Sequence, residues 1–116
     1  MDITLKRAYE ATALTDGYRV LVDRLWPRGI SKKDINIDEW CKDVAPSMKL
    51  RKWFAHDPAK FAEFTKRYLT ELKSSDAAQQ LIKRAKAKDK HLTLVFAARD
   101  PNVNHVVVLK QYLESL

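Results

Sequence analysis

The sequence predicts an α/β fold: a small, mostly parallel sheet of three to four strands covered by helices, in a single domain spanning residues 1–116. Three observations predict it. Two short segments, Tyr18-Arg19-Val20-Leu21-Val22 and His91-Leu92-Thr93-Leu94-Val95-Phe96-Ala97-Ala98, are apolar on both faces over much of their length, as strands covered on both sides are. A long stretch with helical periodicity separates them, and such connections join parallel strands. Each run ends abruptly in charge, Asp23-Arg24 after the first and Arg99-Asp100 after the second.

Taken in order, Ile3-Thr4-Leu5-Lys6-Arg7-Ala8-Tyr9 alternates loosely and reads as a strand, with the sheet expected to be mixed at its edge. Thr15, Asp16 and Gly17 turn the chain into the first buried run. After it, Asp23-Arg24-Leu25-Trp26-Pro27-Arg28-Gly29 must be a shaped loop, because Pro27 fixes φ and removes a donor, and Gly29 frees the backbone. Ser31 and Asp34 resemble a weak capping box, and residues 38–44 read as a short helix with an acidic start. Pro46 breaks that helix, and Ser47 caps a second one carrying Leu50, Trp53 and Phe54. Asp57 is placed as an N-cap with Pro58 at the first helical position. Phe61, Phe64, Tyr68, Leu69 and Leu72 then form a stripe of helical period. Ser75 or Asp76 caps a further helix bearing Leu81, Ile82 and Ala85. Asp100-Pro101 repeats the cap-plus-proline device and is expected to start the last helix, with Val103, Val106, Val107, Leu109, Leu113 and Leu116 as its apolar residues.

Composition narrows the function classes. A 46% hydrophobic and 32% charged chain suits a globular protein and is too apolar for a disordered one. No apolar run approaches the roughly 20 residues a bilayer span needs. Met1-Asp2-Ile3-Thr4 has no signal-peptide character, and the single Cys41 forms no intramolecular disulfide, so the cytoplasm is the expected location. The net charge of +7 favours acidic small molecules, phosphates or nucleic acid as partners. Its lysines are nevertheless spread through the helical patterns, and a solvated surface accounts for most of them. Having only Gly17 and Gly29, the chain excludes the glycine-rich dinucleotide and Walker phosphate loops. Three histidines and one cysteine lack the spacing of a zinc site, so no metal or other cofactor is specified, and Cys41 is assigned to packing.

Ligands of open α/β sheets bind beyond the carboxyl ends of the strands. There the sequence leaves Asp23, Arg24 and Arg28 after one strand and Arg99 and Asp100 after the other, with Asn104 and His105 opening the final helix. Arginines offer paired donors to a carboxylate or phosphate, and a helix N-terminus favours anions. His105 could move a proton near neutral pH, with Asp23 or Asp100 orienting it. Each residue also has a plain structural use. Asp23 and Arg24 can pair with other charges, Asp100 can be an N-cap, His105 can be a half-buried polar contact, and Trp26, Trp40 and Trp53 can fill the core. The loop around Trp26 is harder to reduce to packing, since loops so constrained often carry function.

These same residues carry a family resemblance. Val22 to Gly29, Asp38-Glu39-Trp40, Ala45-Pro46-Ser47, Leu50-Arg51-Lys52-Trp53-Phe54, His56-Asp57-Pro58 and Asn104-His105 resemble the YeaO-like group of the family called domain of unknown function 488. The likeness covers essentially the whole chain and implies a bacterial or archaeal cytosolic α/β domain. It adds Lys52, His56 and Asp57 to the candidate site and supports Arg28. Other branches of the family carry a Cys-His-Arg triplet where this chain has Asn104-His105-Val106, so a covalent cysteine mechanism is not expected here.

The functional expectation is a small anionic ligand at the strand ends. Arg24, Arg28 and Arg99 would bind it, with Trp26, Lys52, Asp57, Asp100 and Asn104 in the same site, while His105 or His56 would move protons and Asp23 would orient. The residues alone do not choose between binding and acid/base catalysis. The alternatives are a nucleic-acid module, which needs Lys49, Arg51 and Lys52 on one continuous basic face, and a partner-binding domain whose tryptophans fill an interface.

Overall fold

The computed structural model describes residues 1–116. Four strands, β1 (Asp2–Arg7), β2 (Tyr18–Leu21), β3 (Glu39–Trp40) and β4 (His91–Phe96), form one sheet in the order β1-β4-β2-β3. Five helices accompany them: α1 (Lys32–Ile35), α2 (Met48–Phe54), α3 (Phe61–Lys73), α4 (Ala77–Lys88) and α5 (His105–Glu114). No helix is long and apolar enough to cross a membrane.

All three pairings are parallel, so the expected mixed edge does not exist. The reason lies in β4. From Leu92 to Phe96 every residue is buried, and a strand apolar on both faces is most stable in the middle of a sheet. It inserts between β1 and β2, so these two never meet as a hairpin. Residues 8–17 instead carry the chain from the end of β1 back to the start of β2. Asp16 holds this crossover, accepting from Lys6 Nζ, Arg19 Nη1 and Ala13 N, while its own carbonyl accepts from Thr93 Oγ1 of β4.

The two faces of the sheet are covered unequally. Ile3, Val20, Val22, Leu92, Leu94 and Phe96 join Leu50, Phe54, Phe64, Tyr68, Leu81 and Leu109 in the main core under α2 to α5. The period-3.6 stripe of α3 thus packs as its spacing requires, with Phe64 stacked 4.2 Å from Phe54. The other face holds a small cluster of Ala8, Leu21, Ile35 and Val95, roofed by Trp26, Ile30, Ile37 and Trp40. The tryptophan of the 23–29 loop is therefore a lid on the second face. Its ring meets Trp40 edge-on at 5.3 Å, and its Nε1 donates to Ile30 O at 2.8 Å.

Two local assignments are corrected. Residues 38–44 do not form a helix: Glu39 and Trp40 pair with Val20 and Leu21 as β3, and a 3-10 turn covers Lys42–Val44. Trp40 is fixed there because its Nε1 donates to Asp23 O at 2.7 Å, a tertiary contact that local propensity cannot anticipate. Asp100 does not cap the last helix either. Its Oδ1 accepts from Asn102 N and Val103 N, closing a turn, and Asn104 is the cap of α5. Ser47 and Asp57 cap as expected, accepting from Leu50 N and Ala59 N.

Candidate functional site

A cavity of about 690 Å³ opens beyond the carboxyl ends of β1, β4 and β2. Its wall brings together Asp23, Arg24, Trp26, Arg28, His56, Arg99, Asp100, Asn104 and His105, nine of the eleven candidates. Lys52 and Asp57 are left out. Lys52 is exposed on α2 outside the cavity, and Asp57 spends its carboxylate capping the turn Pro58–Lys60. Arg51 lines the cavity in place of Lys52, as does Phe54. Successive helical residues are turned by about 100°, so a helix that sends Arg51 and Phe54 inward sends Lys52 elsewhere.

The floor is built on Asp23, one residue beyond the buried end of the first apolar run. Asp23 Oδ2 accepts from Ala97 N at 2.9 Å, joining the ends of adjacent strands. Asp23 Oδ1 is shut off from solvent and makes no hydrogen bond. His105 Nε2 stands 3.2 Å from it and 3.1 Å from Val22 O. A carbonyl oxygen only accepts, so this nitrogen carries the ring hydrogen and leaves the lone pair of the neutral ring on Nδ1. The imidazole is thus held by Nε2, and Nδ1 is the atom that can take up a proton.

Asn104, beside it, is buried and fully used. Its Oδ1 accepts from Val106 N and Val107 N, and its Nδ2 donates to Asp100 O at 2.6 Å. The side chain of the helix's own cap thus takes two of the free amides at the α5 N-terminus.

The arginines remain. Arg24 is pinned, with Nε and Nη2 donating to Pro46 O and Ala45 O at 3.0 Å. Arg7, which the sequence reading missed, is pinned likewise, with Nε on Ala98 O and Nη2 on Ala97 O. It could have been found by the rule that flagged Asp23 and Arg99, because it is the charged residue ending β1. Arg28, Arg51 and Arg99 are exposed at the rim. None of these five is within ion-pair distance of a carboxylate, whereas Lys6, Arg19, Arg67 and Arg84 elsewhere are all paired. Five arginines against Asp23 and Asp100 give the cavity a net positive lining, two of them inside and three at the rim.

The remaining wall is apolar or strained. Leu25 and Tyr9 are half-exposed at the mouth, and Phe54 and Phe64 lie deeper. Ala55 and His56 both adopt left-handed backbone, at φ 47° and 58°. Ala55 is the C-cap of α2, and His56 after it lines the cavity. Cys41 is buried outside this cavity, and burial together with Glu39 pushes its thiol up, which suits packing and not nucleophilic chemistry.

The family described as the inactive DUF488-N3 subclade, DUF488-N3i, matches residues 2–116. The uncharacterized protein YeaO of Escherichia coli is 43% identical over 116 residues, covering 100% of both chains. Uncharacterized proteins of Mycobacterium tuberculosis and Mycobacterium bovis are each 45% identical over 111 residues, covering 96% of this chain and 92% of theirs. No solved structure matches the chain.

Proposed function

The chain belongs to the inactive DUF488-N3 subclade, and from that premise we propose that it binds a small phosphate- or carboxylate-bearing ligand in the cytoplasm, without covalent catalysis. The observation that carries this reading is the set of five cavity arginines that no carboxylate neutralises. Unpaired guanidinium groups gathered in one hollow repel each other, and an anion relieves that repulsion while accepting their paired donors. Arg7 and Arg24 are already immobilised by backbone carbonyls, so little side-chain freedom is lost when an anion arrives. Arg28, Arg51 and Arg99 close on it from the rim. The absence of a nucleophile beside His105, where Asn104 serves as helix cap, suits a subclade described as inactive.

Thermal unfolding with added inorganic phosphate tests the reading. At ten times the dissociation constant, binding stabilises by about 1.4 kcal/mol, or roughly 6 °C for a domain of this size. The wild type should show that rise against a chloride control of equal ionic strength, and the Arg28→Ala/Arg51→Ala variant should lose most of it. Equal behaviour of the two proteins would count against the arginines as the site.

A further inference from the structure

We infer that the ligand is an aromatic phosphomonoester of mononucleotide size, not a bare inorganic anion; the inference rests on the anion-binding reading and narrows it. A cavity of about 690 Å³ lies within the range of roughly 300–1,000 Å³ that encloses whole organic ligands, and a lone phosphate would leave most of it empty.

Apolar surface is left uncovered in this cavity. Most of the chain's large hydrophobic side chains are packed, yet Leu25 is 48% exposed and Tyr9 45% exposed, and both line this cavity. They stand on a wall held in advance of binding. Tyr9 Oη donates to Arg28 O at 2.8 Å, which ties the end of the β1 segment to the 23–29 loop. Trp26 Nε1 donates to Ile30 O, which fixes the loop from within. Open apolar surface on a rigid wall loses nothing to ordering when a flat ring covers it.

The apolar residues Leu25 and Trp26 and the cations Arg24 and Arg28 come from one short loop, and all four line the same hollow. A ligand that satisfies both must join a flat apolar group to an anion within a few bonds. A dianionic phosphate answers five arginines better than a single carboxylate does.

Calorimetric titration of the full chain at constant ionic strength, with inorganic phosphate, phenyl phosphate, the four nucleoside 5′-monophosphates and adenosine, decides the matter. At least one aromatic phosphate should bind about tenfold or more tighter than inorganic phosphate, with adenosine weaker than AMP. Leu25→Ala, which alters a half-exposed side chain, should reduce that advantage severalfold. If inorganic phosphate binds and every aromatic phosphate binds no tighter, the inference is overturned while the anion reading stands. Adenosine binding as tightly as AMP also overturns it. If no phosphate compound binds at all, both fall.

Discussion

His105 Nε2 lies 3.2 Å from Asp23 Oδ1, a buried carboxylate oxygen with no hydrogen bond of its own. The other oxygen of the same carboxylate holds Ala97 N, so Asp23 links the end of β4 to the first turn of α5 through a single side chain.

Asp23→Asn tests that link. The amide oxygen can keep Ala97 N, but the amide nitrogen then faces an Nε2–H that already donates to Val22 O. Two donors facing each other in a buried site should cost about 1–3 kcal/mol in urea unfolding. In a His105→Leu background the same change should cost clearly less, because the opposing donor is gone. An identical cost in both backgrounds would show that the pair is not coupled.

Asp16 should contribute to acid stability. Burial alone would raise its carboxyl, but the Ala13 N–H and the Lys6 and Arg19 side chains outweigh that and hold it below the usual 3.8. A carboxyl depressed by folding contributes stability that is fully present above its unfolded value and is lost as pH falls through the folded one. Urea midpoints of the wild type should therefore fall as pH drops below about 3.8. Asp16→Asn should be less stable at neutral pH and flatter over that acid range. A variant that follows the wild-type acid profile would remove Asp16 from this role.

The two glycines should respond differently to alanine. Gly17 sits at φ 66°, and a Cβ there would come within 2.3 Å of His91 O. Gly29 sits at φ 74° with nothing within 4 Å of such a Cβ. Gly29→Ala should therefore cost only the left-handed backbone, about 1–2 kcal/mol. Gly17→Ala adds a steric conflict with β4 and should cost distinctly more. Equal melting points for the two variants would contradict this.

The readable and unreadable parts of this fold divide along physical lines. The β2 and β4 segments and the stripes of α3, α4 and α5 followed from periodicity, because each buries a face against the same core. Trp40 was misread as helical because β3 is only two residues long and exists through pairing with β2, which the residues around it do not encode. The all-parallel edge was missed because the short crossover through Asp16 depends on Lys6, Arg19 and Thr93, each brought in by tertiary contact. At the site, charge ending a strand pointed to Asp23, Arg24 and Arg99, and the same signal stood unread at Arg7. Arg51 left no such signal. Only the rotation of α2 decides that it, and not Lys52, meets the cavity.

Amide shifts recorded while inorganic phosphate is added to the isotopically labelled protein test the central claim most directly, since they locate the anion as well as detect it. Saturable shifts are expected at Arg24 to Trp26, Arg28, Ala97 to Arg99 and His105, residues that line the arginine cavity. These shifts should be largely lost in the Arg28→Ala/Arg51→Ala variant. Shifts that do not saturate, or that scatter over the exposed lysines of α3 and α4, would contradict that claim.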